Sequence, residues 1–300
     1  MNSYWVRTVS VAILLGAGLT SGGDASAGDT LKKVRDSGQI TLGYRESSVP
    51  FSFLDAGKQP VGYSIDLCLK VVNAVKRELK MSNLSVKMAA VTPASRIPDL
   101  VAGKIDLECG STTNNAERRK QVAFTVSTYI AGAKYLSKTS SKIKGLDDFA
   151  KKPVATTQGT TTEKILRALD AQNGMKAEII LGKDHAESFS YVTSGKALGF
   201  FMDDILLYSL RAESAAPQDY EVSNKLLSIE PLSLMLRNED PAFKRIVDLE
   251  ITRVIMDGEI YPLYKKWFQS RIPPKGTNLN VPMNFLLRDS FKAPSDQLFN

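Results

Sequence analysis

The sequence is poor in the side chains that hold metal ions. It has one histidine, His185, and two cysteines, Cys68 and Cys109. Protein zinc sites combine several histidine, cysteine or carboxylate ligands at short, regular spacings. The sequence has no cluster of this kind, so it predicts neither a metal site nor another cofactor.

Blocks of like charge are also missing. The chain has 39 lysines and arginines against 32 aspartates and glutamates, a net charge of +7, but the cations are scattered along it. Basic arms that bind nucleic acid are built from runs of cations, so we expect no nucleic-acid partner. The positive charge is compatible with an anionic lipid, a small acidic ligand or simple solubility, and it does not choose among them.

Long apolar runs are missing too. A bilayer span takes about 20 apolar residues, and no apolar run in the sequence is that long. An apolar run extends from Val11 to Leu19, after the cation Arg7 and before the small-residue pattern of residues 25–27, Ala-Ser-Ala. These features are typical of a secretory signal peptide. The sequence predicts a leader over residues 1–27, cleavage after Ala27 and export to the periplasm.

The two cysteines leave two interpretations open. In an oxidising compartment Cys68 and Cys109 are able to form a disulfide. As small side chains they are also suited to separate places in the core. A disulfide requires a short distance between Cα atoms, so separation along the sequence does not decide between the two.

Strand and helix patterns alternate in two series along the chain. The first series starts with an alternating strand at Ile40 and an amphipathic helix from Gly62 to Leu79. The alternation predicts an α/β fold with mostly parallel strands. We expect lobe 1 to contain residues 28–131 and 229–300, and lobe 2 residues 132–228. Two extended segments that cross between the lobes would form the hinge.

The segment DLECGSTTNNAERR, residues 106–119, places small donors and a cation directly after a strand. Ligands of α/β sheets bind beyond the carboxyl ends of the strands, and Ser111 and Thr113 lie at such an end. Arg118 follows, and its planar guanidinium matches a carboxylate with two parallel hydrogen bonds. The alternative, an ordinary helix cap beside a solvated arginine, stays open.

Further cationic groups follow other predicted elements. Arg45 follows the first strand, Arg96 opens a short helix, and His185 follows the strand AEIIL. Each alone is compatible with an ordinary surface charge. Gathered at one edge of a sheet, they would attract an anion.

Two more segments contribute candidate ligand groups. TTQGTTTEK, which contains Thr161, is typical of an anion-binding turn at a helix N-terminus. It lacks the Lys-Ser/Thr ending of a P-loop, so a nucleotide is a poor fit. The apolar strand GFFM continues into Asp203 and Asp204. We expect Asp203 to bind an ammonium group, because the other side of the predicted cleft is cationic; the alternative is helix capping by either aspartate.

A family resemblance rests on six segments: GYRESSVPFSF, GYSIDL, SRIPDLVAGKIDLECGSTTNNAERRKQVAFT, TTQGTTTEK, GKDHAESF and FFMDDILL. With these segments the chain resembles the periplasmic solute-binding proteins of amino-acid ABC transporters. ECGSTTNNAER is typical of their glutamate/aspartate-binding subfamily. The resemblance implies the type II periplasmic-binding-protein fold, closure of two lobes on L-glutamate or L-aspartate, a monomer, and delivery of the ligand to an inner-membrane ABC permease.

The resemblance also implies roles for individual residues. Arg118 and Thr113 would hold the α-carboxylate of the ligand, and Asp203 and Ser111 its α-ammonium group. Arg45, Arg96 and His185 would surround the side-chain carboxylate, and Thr161 in the turn of the second lobe would add a hydroxyl. A protonated His185 adds a donor and a positive charge, so we expect affinity to depend on its titration.

One position departs from the family pattern. Pro93 stands where the family has a serine three residues before Arg96, which leaves the preference between glutamate and aspartate open. The alternative function is an enzyme on the same fold, similar to cyclohexadienyl dehydratase. It needs a general acid, and the nearest carboxyl groups are Glu108 and Glu117. Glu108 precedes the pocket and is expected to point away from it, so we expect a binding protein rather than an enzyme.

Overall fold

A computed structural model describes Met1 and residues 29–297 of the chain. The predicted leader and its cleavage site lie outside these residues, apart from Met1. The helices α1 to α9 in the described part are Thr30–Ser37, Tyr63–Leu79, Arg96–Val101, Thr161–Asn173, His185–Thr193, Asp204–Glu213, Pro241–Met256, Ile260–Phe268 and Phe285–Ser290. None of the helices between residues 29 and 297 combines the length and the apolar character that a bilayer crossing requires.

The strands of the same part form one large sheet and two small ones. Strands β1 to β15 are Gln39–Tyr44, Ser47–Ser48, Ser52–Leu54, Pro60–Val61, Ser85–Ala90, Leu107–Thr113, Val122–Phe124, Tyr129–Lys138, Pro153–Thr157, Glu178–Gly182, Gly199–Asp203, Tyr220–Val222, Ser228–Arg237, Arg271–Ile272 and Thr277–Asn278. The large sheet has the order β10-β9-β11-β8-β13-β6-β1-β5, with β12 paired to β8 and β7 to β13. Strands β2 to β4 and the pair β14-β15 form the small sheets.

Two sets of parallel strands lie on either side of two long antiparallel strands. β1 pairs in parallel with β5 and β6, and β9 pairs in parallel with β10 and β11. We call the elements around the first set the first lobe and those around the second set the second lobe. β8 and β13, the two segments predicted to cross between the lobes, pair with each other in antiparallel fashion. The predicted lobe boundaries at 131/132 and 228/229 fall within β8 and at the start of β13, and they stay a prediction.

After β13 the chain returns to the first lobe. Arg77 on α2 donates to Glu250 on α7 at 2.7 Å, and the indole of Trp267 donates to Asp66 at 2.7 Å. The helical region over residues 241–268 is divided into α7 and α8, because Gly258 adopts φ +77° and ends the first helix. Aromatic rings from both parts pack together: Phe51, Tyr63, Tyr129, Tyr264 and Phe268.

Two helix starts place polar side chains at the cleft between the lobes. α4 begins at Thr161 because the hydroxyl of Thr160 accepts from the amide of Glu163 at 3.1 Å. α5 begins at His185 because Asp184 accepts from the amide of Glu187 at 2.8 Å. Serine, threonine and aspartate are preferred at this position since they satisfy a free helix amide.

A disulfide joins Cys68 on α2 to Cys109 on β6, with Cα atoms 6.1 Å apart. The structure thus decides between the two interpretations of the cysteines. The bridge closes a loop with a sequence separation of 41, and Ser111 follows Cys109 two residues later on the same strand. It therefore ties the strand that carries candidate ligand residues to the main helix of the first lobe.

Removal of this disulfide is expected to lower the free energy of unfolding by about 2–4 kcal/mol, because the cross-link restricts the unfolded chain. Urea denaturation of the double variant Cys68→Ala/Cys109→Ala, followed by circular dichroism, measures the change. Wild-type protein denatured with excess reductant is the matched control, and it should unfold at the same urea concentration as the variant. A variant as stable as the oxidised wild type would contradict this prediction.

Candidate ligand-binding site

A small cavity lies between the two lobes, at the carboxyl ends of the parallel strands. Elements of both lobes contribute to it, including β6 and α3 of the first lobe and β11, α4 and α5 of the second. The lining residues are Arg96, Ser111, Thr113, Thr160, Thr161, His185, Met202, Asp203 and Leu206. Six of the eight predicted site residues belong to this lining, and the other two, Arg45 and Arg118, lie beside it as described below.

The two lobes are in contact across the cavity. Nη2 of Arg118 in the first lobe donates to the carbonyl of Gly159 in the second at 3.3 Å. The hydroxyl oxygens of Thr113 and Thr161 lie 3.3 Å apart. Gly159 has φ +77°, and a Cβ there would lie 2.7 Å from Cα of Ala94, so only glycine allows this approach. The structure is that of a closed cleft.

One end of the cavity is surrounded by buried nitrogen donors. Arg45 is 1% exposed, and Arg96 and His185 are each 2% exposed. Within the described part of the chain, Nη1 and Nη2 of Arg45, Nε of Arg96 and Nε2 of His185 have no hydrogen-bond partner. Burial of unpaired donors is costly unless an acceptor meets them. This end is therefore suited to a carboxylate.

Burial and mutual repulsion change the ionisation of these groups. Burial, and after it the charge of Arg96, lowers the pKa of Arg45 to about 9, so that Arg45 stays a cation at neutral pH. Burial lowers the pKa of Arg96 as well. Burial is the largest cause that holds the pKa of His185 well below 6.5, and the positive charges of Arg45 and Arg96 lower this pKa further. The ring is neutral in this cleft. A carboxylate bound beside it would favour the protonated form, so the tuning of affinity by His185 stays a prediction.

The ring of His185 is held by a hydroxyl chain in the second lobe. Its Nδ1 lies 3.0 Å from the hydroxyl oxygen of Thr157, which lies 2.9 Å from that of Ser188. Nε2 is left to face the cavity. A neutral imidazole with a proton on Nε2 donates a hydrogen bond to a carboxylate without carrying a charge.

Arg118 is a buried cation rather than the solvated arginine of the capping alternative. It is 8% exposed, and Nη1 donates to the carbonyl of Thr113 at 2.9 Å, in addition to the bond to Gly159. Burial, the largest cause, and the positive charge of Arg96 lower the pKa of Arg118 to about 9. The negative charge of Glu230 acts the other way and raises this pKa. A guanidinium has five N–H donors, so it has further capacity for a carboxylate at the cavity.

Asp203 supplies negative charge at the same cavity. It directly precedes α6, but its carboxylate caps no amide of that helix. The neighbouring Asp204 accepts instead from the amides of Ile205 and Gly132, at 2.7 Å and 3.2 Å. Burial, then the charges of Glu230 and Asp204, raises the pKa of Asp203 to about 8. A cation that pairs with this carboxyl group would favour its ionised form.

Two buried carboxylates near the cavity were not among the predicted ligand-binding residues. Glu230 on β13 accepts from the hydroxyl of Thr161 at 2.9 Å. Glu108 on β6 accepts from the hydroxyl of Thr112 at 2.7 Å, and its charge opposes the lowering of the Arg45 pKa. Each is the one acidic residue in a strand of mostly apolar or small residues. That pattern is the signal that could have identified them.

The fold and the cavity together define a class of protein. Two α/β lobes, connected by two crossing strands, close on a buried space that offers donors to a carboxylate and a carboxyl group to a cation. This is a binding protein for a small solute, which is held between two lobes connected by the crossing strands β8 and β13.

The sequence narrows the class to a family. Residues 40–270 match the model of the bacterial extracellular solute-binding proteins, family 3. The chain belongs to this family.

Two relatives match almost the whole chain. An L-glutamate/L-aspartate-binding protein of Pseudomonas aeruginosa is 47% identical over 294 residues, which cover 97% of this chain and 96% of the relative. A glutamate/aspartate import solute-binding protein of Escherichia coli K12 is 42% identical over 295 residues, covering 98% of each. Both relatives are binding proteins.

Solved structures show the same fold. A variant of ArgBP from T. maritima superposes with a TM-score of 0.70, at 23% identity, covering 79% of this chain and 98% of that one. An ancestral amino acid-binding protein, described as a precursor of cyclohexadienyl dehydratase, has a TM-score of 0.66 at 30% identity, covering 80% of this chain and 100% of that one. The predicted two-lobed α/β fold is confirmed.

Proposed function

We propose that this protein binds L-glutamate or L-aspartate in the cleft between its lobes and delivers it to an inner-membrane ABC permease. The observation that carries the proposal is the set of buried, unpartnered nitrogens of Arg45, Arg96 and His185 beside a cavity that also holds Asp203. The names of the relatives support the same ligands.

Each charged group of an acidic amino acid has a suitable partner in this arrangement. The α-carboxylate would meet Arg118 near Thr113, and the α-ammonium group would meet Asp203 and Ser111. The side-chain carboxylate would lie among Arg45, Arg96 and His185, and Thr161 would add a hydroxyl to the cavity. This assignment accounts for the buried nitrogens that lack a partner in the described residues.

Selectivity follows from the cost of leaving these donors unpaired. Each charge-assisted hydrogen bond contributes about 1.5–3 kcal/mol net, so a few of them support micromolar or tighter binding. A neutral amino acid would leave Arg45 and Arg96 buried without an acceptor, and that penalty disfavours it.

The alternative of a dehydratase on this fold finds no support in its two candidate acids. Glu117 is exposed and pairs with Lys164 at the rim of the cleft. Glu108 is bonded to Thr112, and neither glutamate lines the cavity. Binding without catalysis is therefore the better account, in line with the relatives.

The proposal includes export and a monomeric state. It places the protein in the periplasm after cleavage of residues 1–27, with lobe 1 formed by residues 28–131 and 229–300 and lobe 2 by residues 132–228. The leader pattern in the sequence and the extracellular family support the location. The crossing of β8 and β13 between the lobes supports the boundaries.

Isothermal titration calorimetry tests the proposed ligand class. Protein stripped of ligand by unfolding and refolding is titrated with L-glutamate, L-aspartate, L-glutamine and L-arginine. We expect a dissociation constant of about 1 μM or below for at least one acid, and binding of glutamine at least about 100-fold weaker. Glutamine is the matched control, because it differs from glutamate only by an amide in place of the side-chain carboxylate. No heat from either acid would overturn the proposal.

The same titration ranks the two acids, which the departure at Pro93 leaves open. Pro93 is not among the residues that line the cavity. Its carbonyl lies at the rim, 2.9 Å from where a Cβ on Gly159 would be. We therefore expect Pro93 to influence how closely the lobes approach rather than to contact the ligand.

A further inference from the structure

A chain of hydrogen-bonded side chains connects both lobes with a crossing strand. The hydroxyl oxygen of Thr113, in the first lobe, lies 3.3 Å from that of Thr161, in the second lobe. The hydroxyl of Thr161 lies 2.9 Å from Oε2 of Glu230 on β13. The other carboxylate oxygen, Oε1, accepts from the hydroxyl of Ser228 on the same strand.

This chain of side chains forms a wall of the ligand cavity. Thr113 and Thr161 line the cavity, and together with Glu230 they also line a second, larger groove of about 730 Å³. The apolar lining of that groove includes Ile130, Ile165, Ile229 and Leu286. The three polar side chains thus separate the cavity from the groove. Glu230 itself is only 4% exposed.

The direction of the hydrogen bonds follows from the chemistry of Glu230. A carboxylate has no proton to donate, so Thr161 is the donor in its bond to Glu230. A hydroxyl has one proton, so Thr161 accepts from Thr113, and Thr113 donates its own proton to Thr161. Both hydroxyl oxygens then present lone pairs to the cavity. Such a surface accepts hydrogen bonds from an ammonium group and disfavours a carboxylate.

The negative charge of Glu230 also favours an ammonium group over a carboxylate at this place. It raises the pKa of Asp203 and opposes the lowering of the Arg118 pKa, which shows that its field reaches both groups. Negative charge in this corner attracts the α-ammonium group of an amino acid. The hydroxyl of Thr113, which the resemblance assigned to the α-carboxylate, is oriented here for the ammonium group.

We propose that Glu230 is a positioning residue for the α-ammonium group of the ligand, acting through the hydroxyls of Thr161 and Thr113. Because these hydroxyls come from different lobes, the acceptor corner is complete only when the cleft is closed. This role rests on the proposed function, since it requires an amino acid in the cleft.

The variant Glu230→Gln tests the role with a pair of ligands. A glutamine amide presents either its oxygen or its NH2 group to Thr161, so it no longer fixes the proton direction, and it carries no charge. Glutarate is the comparison ligand, because it has both carboxylates of L-glutamate and no ammonium group. By calorimetry at one pH above the Asp203 pKa of about 8, where Asp203 is ionised in both proteins, we expect L-glutamate affinity to fall about tenfold, the scale of one charge-assisted hydrogen bond, and glutarate affinity to change less than about threefold.

Glu239→Gln is the matched control, because it makes the same change of charge at an exposed position just beyond β13. It should leave the affinity for both ligands unchanged. Equal losses for glutamate and glutarate in Glu230→Gln would show a merely structural role and overturn the inference, as would an unchanged glutamate affinity.

A second variant changes the other partner of the hydrogen bond between Glu230 and Thr161. Thr161→Val keeps the shape of the side chain and removes the hydroxyl. If Glu230 acts through Thr161, the loss in glutamate affinity for Glu230→Gln/Thr161→Val is smaller than the sum of the two single losses. Additive losses would overturn the inference while leaving the proposed function intact. A wild-type protein that binds neither acid would overturn the proposed function and this role with it.

Discussion

Arg118→Ala is expected to weaken L-glutamate binding by about 10²- to 10⁴-fold. The estimate corresponds to two charge-assisted hydrogen bonds of about 1.5–3 kcal/mol each, formed by the planar guanidinium with the α-carboxylate. Arg118 also contacts the second lobe through the carbonyl of Gly159, so its removal weakens closure as well. Calorimetric titration of L-glutamate into the variant measures the loss.

Two further variants separate the charge of Arg118 from its geometry. Arg118→Lys keeps a cation but lacks the planar guanidinium with its two parallel donors, so we expect an intermediate loss of L-glutamate affinity of about 10- to 100-fold. Lys120→Ala removes an exposed cation two residues further along the chain and should change affinity less than about twofold. An Arg118→Ala protein that still binds glutamate within a factor of about ten of wild type would refute the assigned carboxylate contact.

The α/β fold could be predicted from the sequence, because strand and helix patterns are formed by residues close together in the chain. The short apolar runs that become β1, β6, β9 and β11 are separated by helical patterns, and this alternation predicts parallel strands. Carboxyl ends of parallel strands meet at one edge of a sheet. For that reason Arg45, Ser111 and Asp203, each at or directly after a strand end, were predicted to lie together.

The features that the sequence did not reveal depend on distances between remote residues. Glu230 lies within β13 rather than at a strand end, and its partner Thr161 is 69 positions away in the sequence. The pairing of Cys68 with Cys109 depends on a Cα separation that only the folded chain defines. The neutral state of His185 depends on burial next to Arg45 and Arg96, which sequence position alone does not show.

Asp203 is expected to give ligand binding a pH dependence of its own. Burial and the neighbouring carboxylates raise the pKa of Asp203 to about 8, so below this pH the closed cleft holds a neutral carboxyl group. Pairing with an ammonium group requires the carboxylate, so binding to protein in which Asp203 is protonated releases the proton. L-glutamate affinity should therefore rise with pH, by up to about tenfold per unit between pH 6 and 8, and level off near pH 8, before Arg45 and Arg118, each with a pKa of about 9, lose their charge.

Calorimetry at pH 6, 7 and 8 measures this slope. Titrations at pH 7 in two buffers of different ionisation enthalpy count the released protons, and we expect close to one per ligand bound. Glutarate is again the control, because it has no ammonium group and does not require Asp203 to ionise; its affinity should not rise over the same range. An affinity for L-glutamate that instead falls as pH rises would mean that a group gains a proton on binding. His185, whose Nε2 faces the predicted place of the side-chain carboxylate, would then be the titrating residue, and Asp203 would be ionised in the free protein.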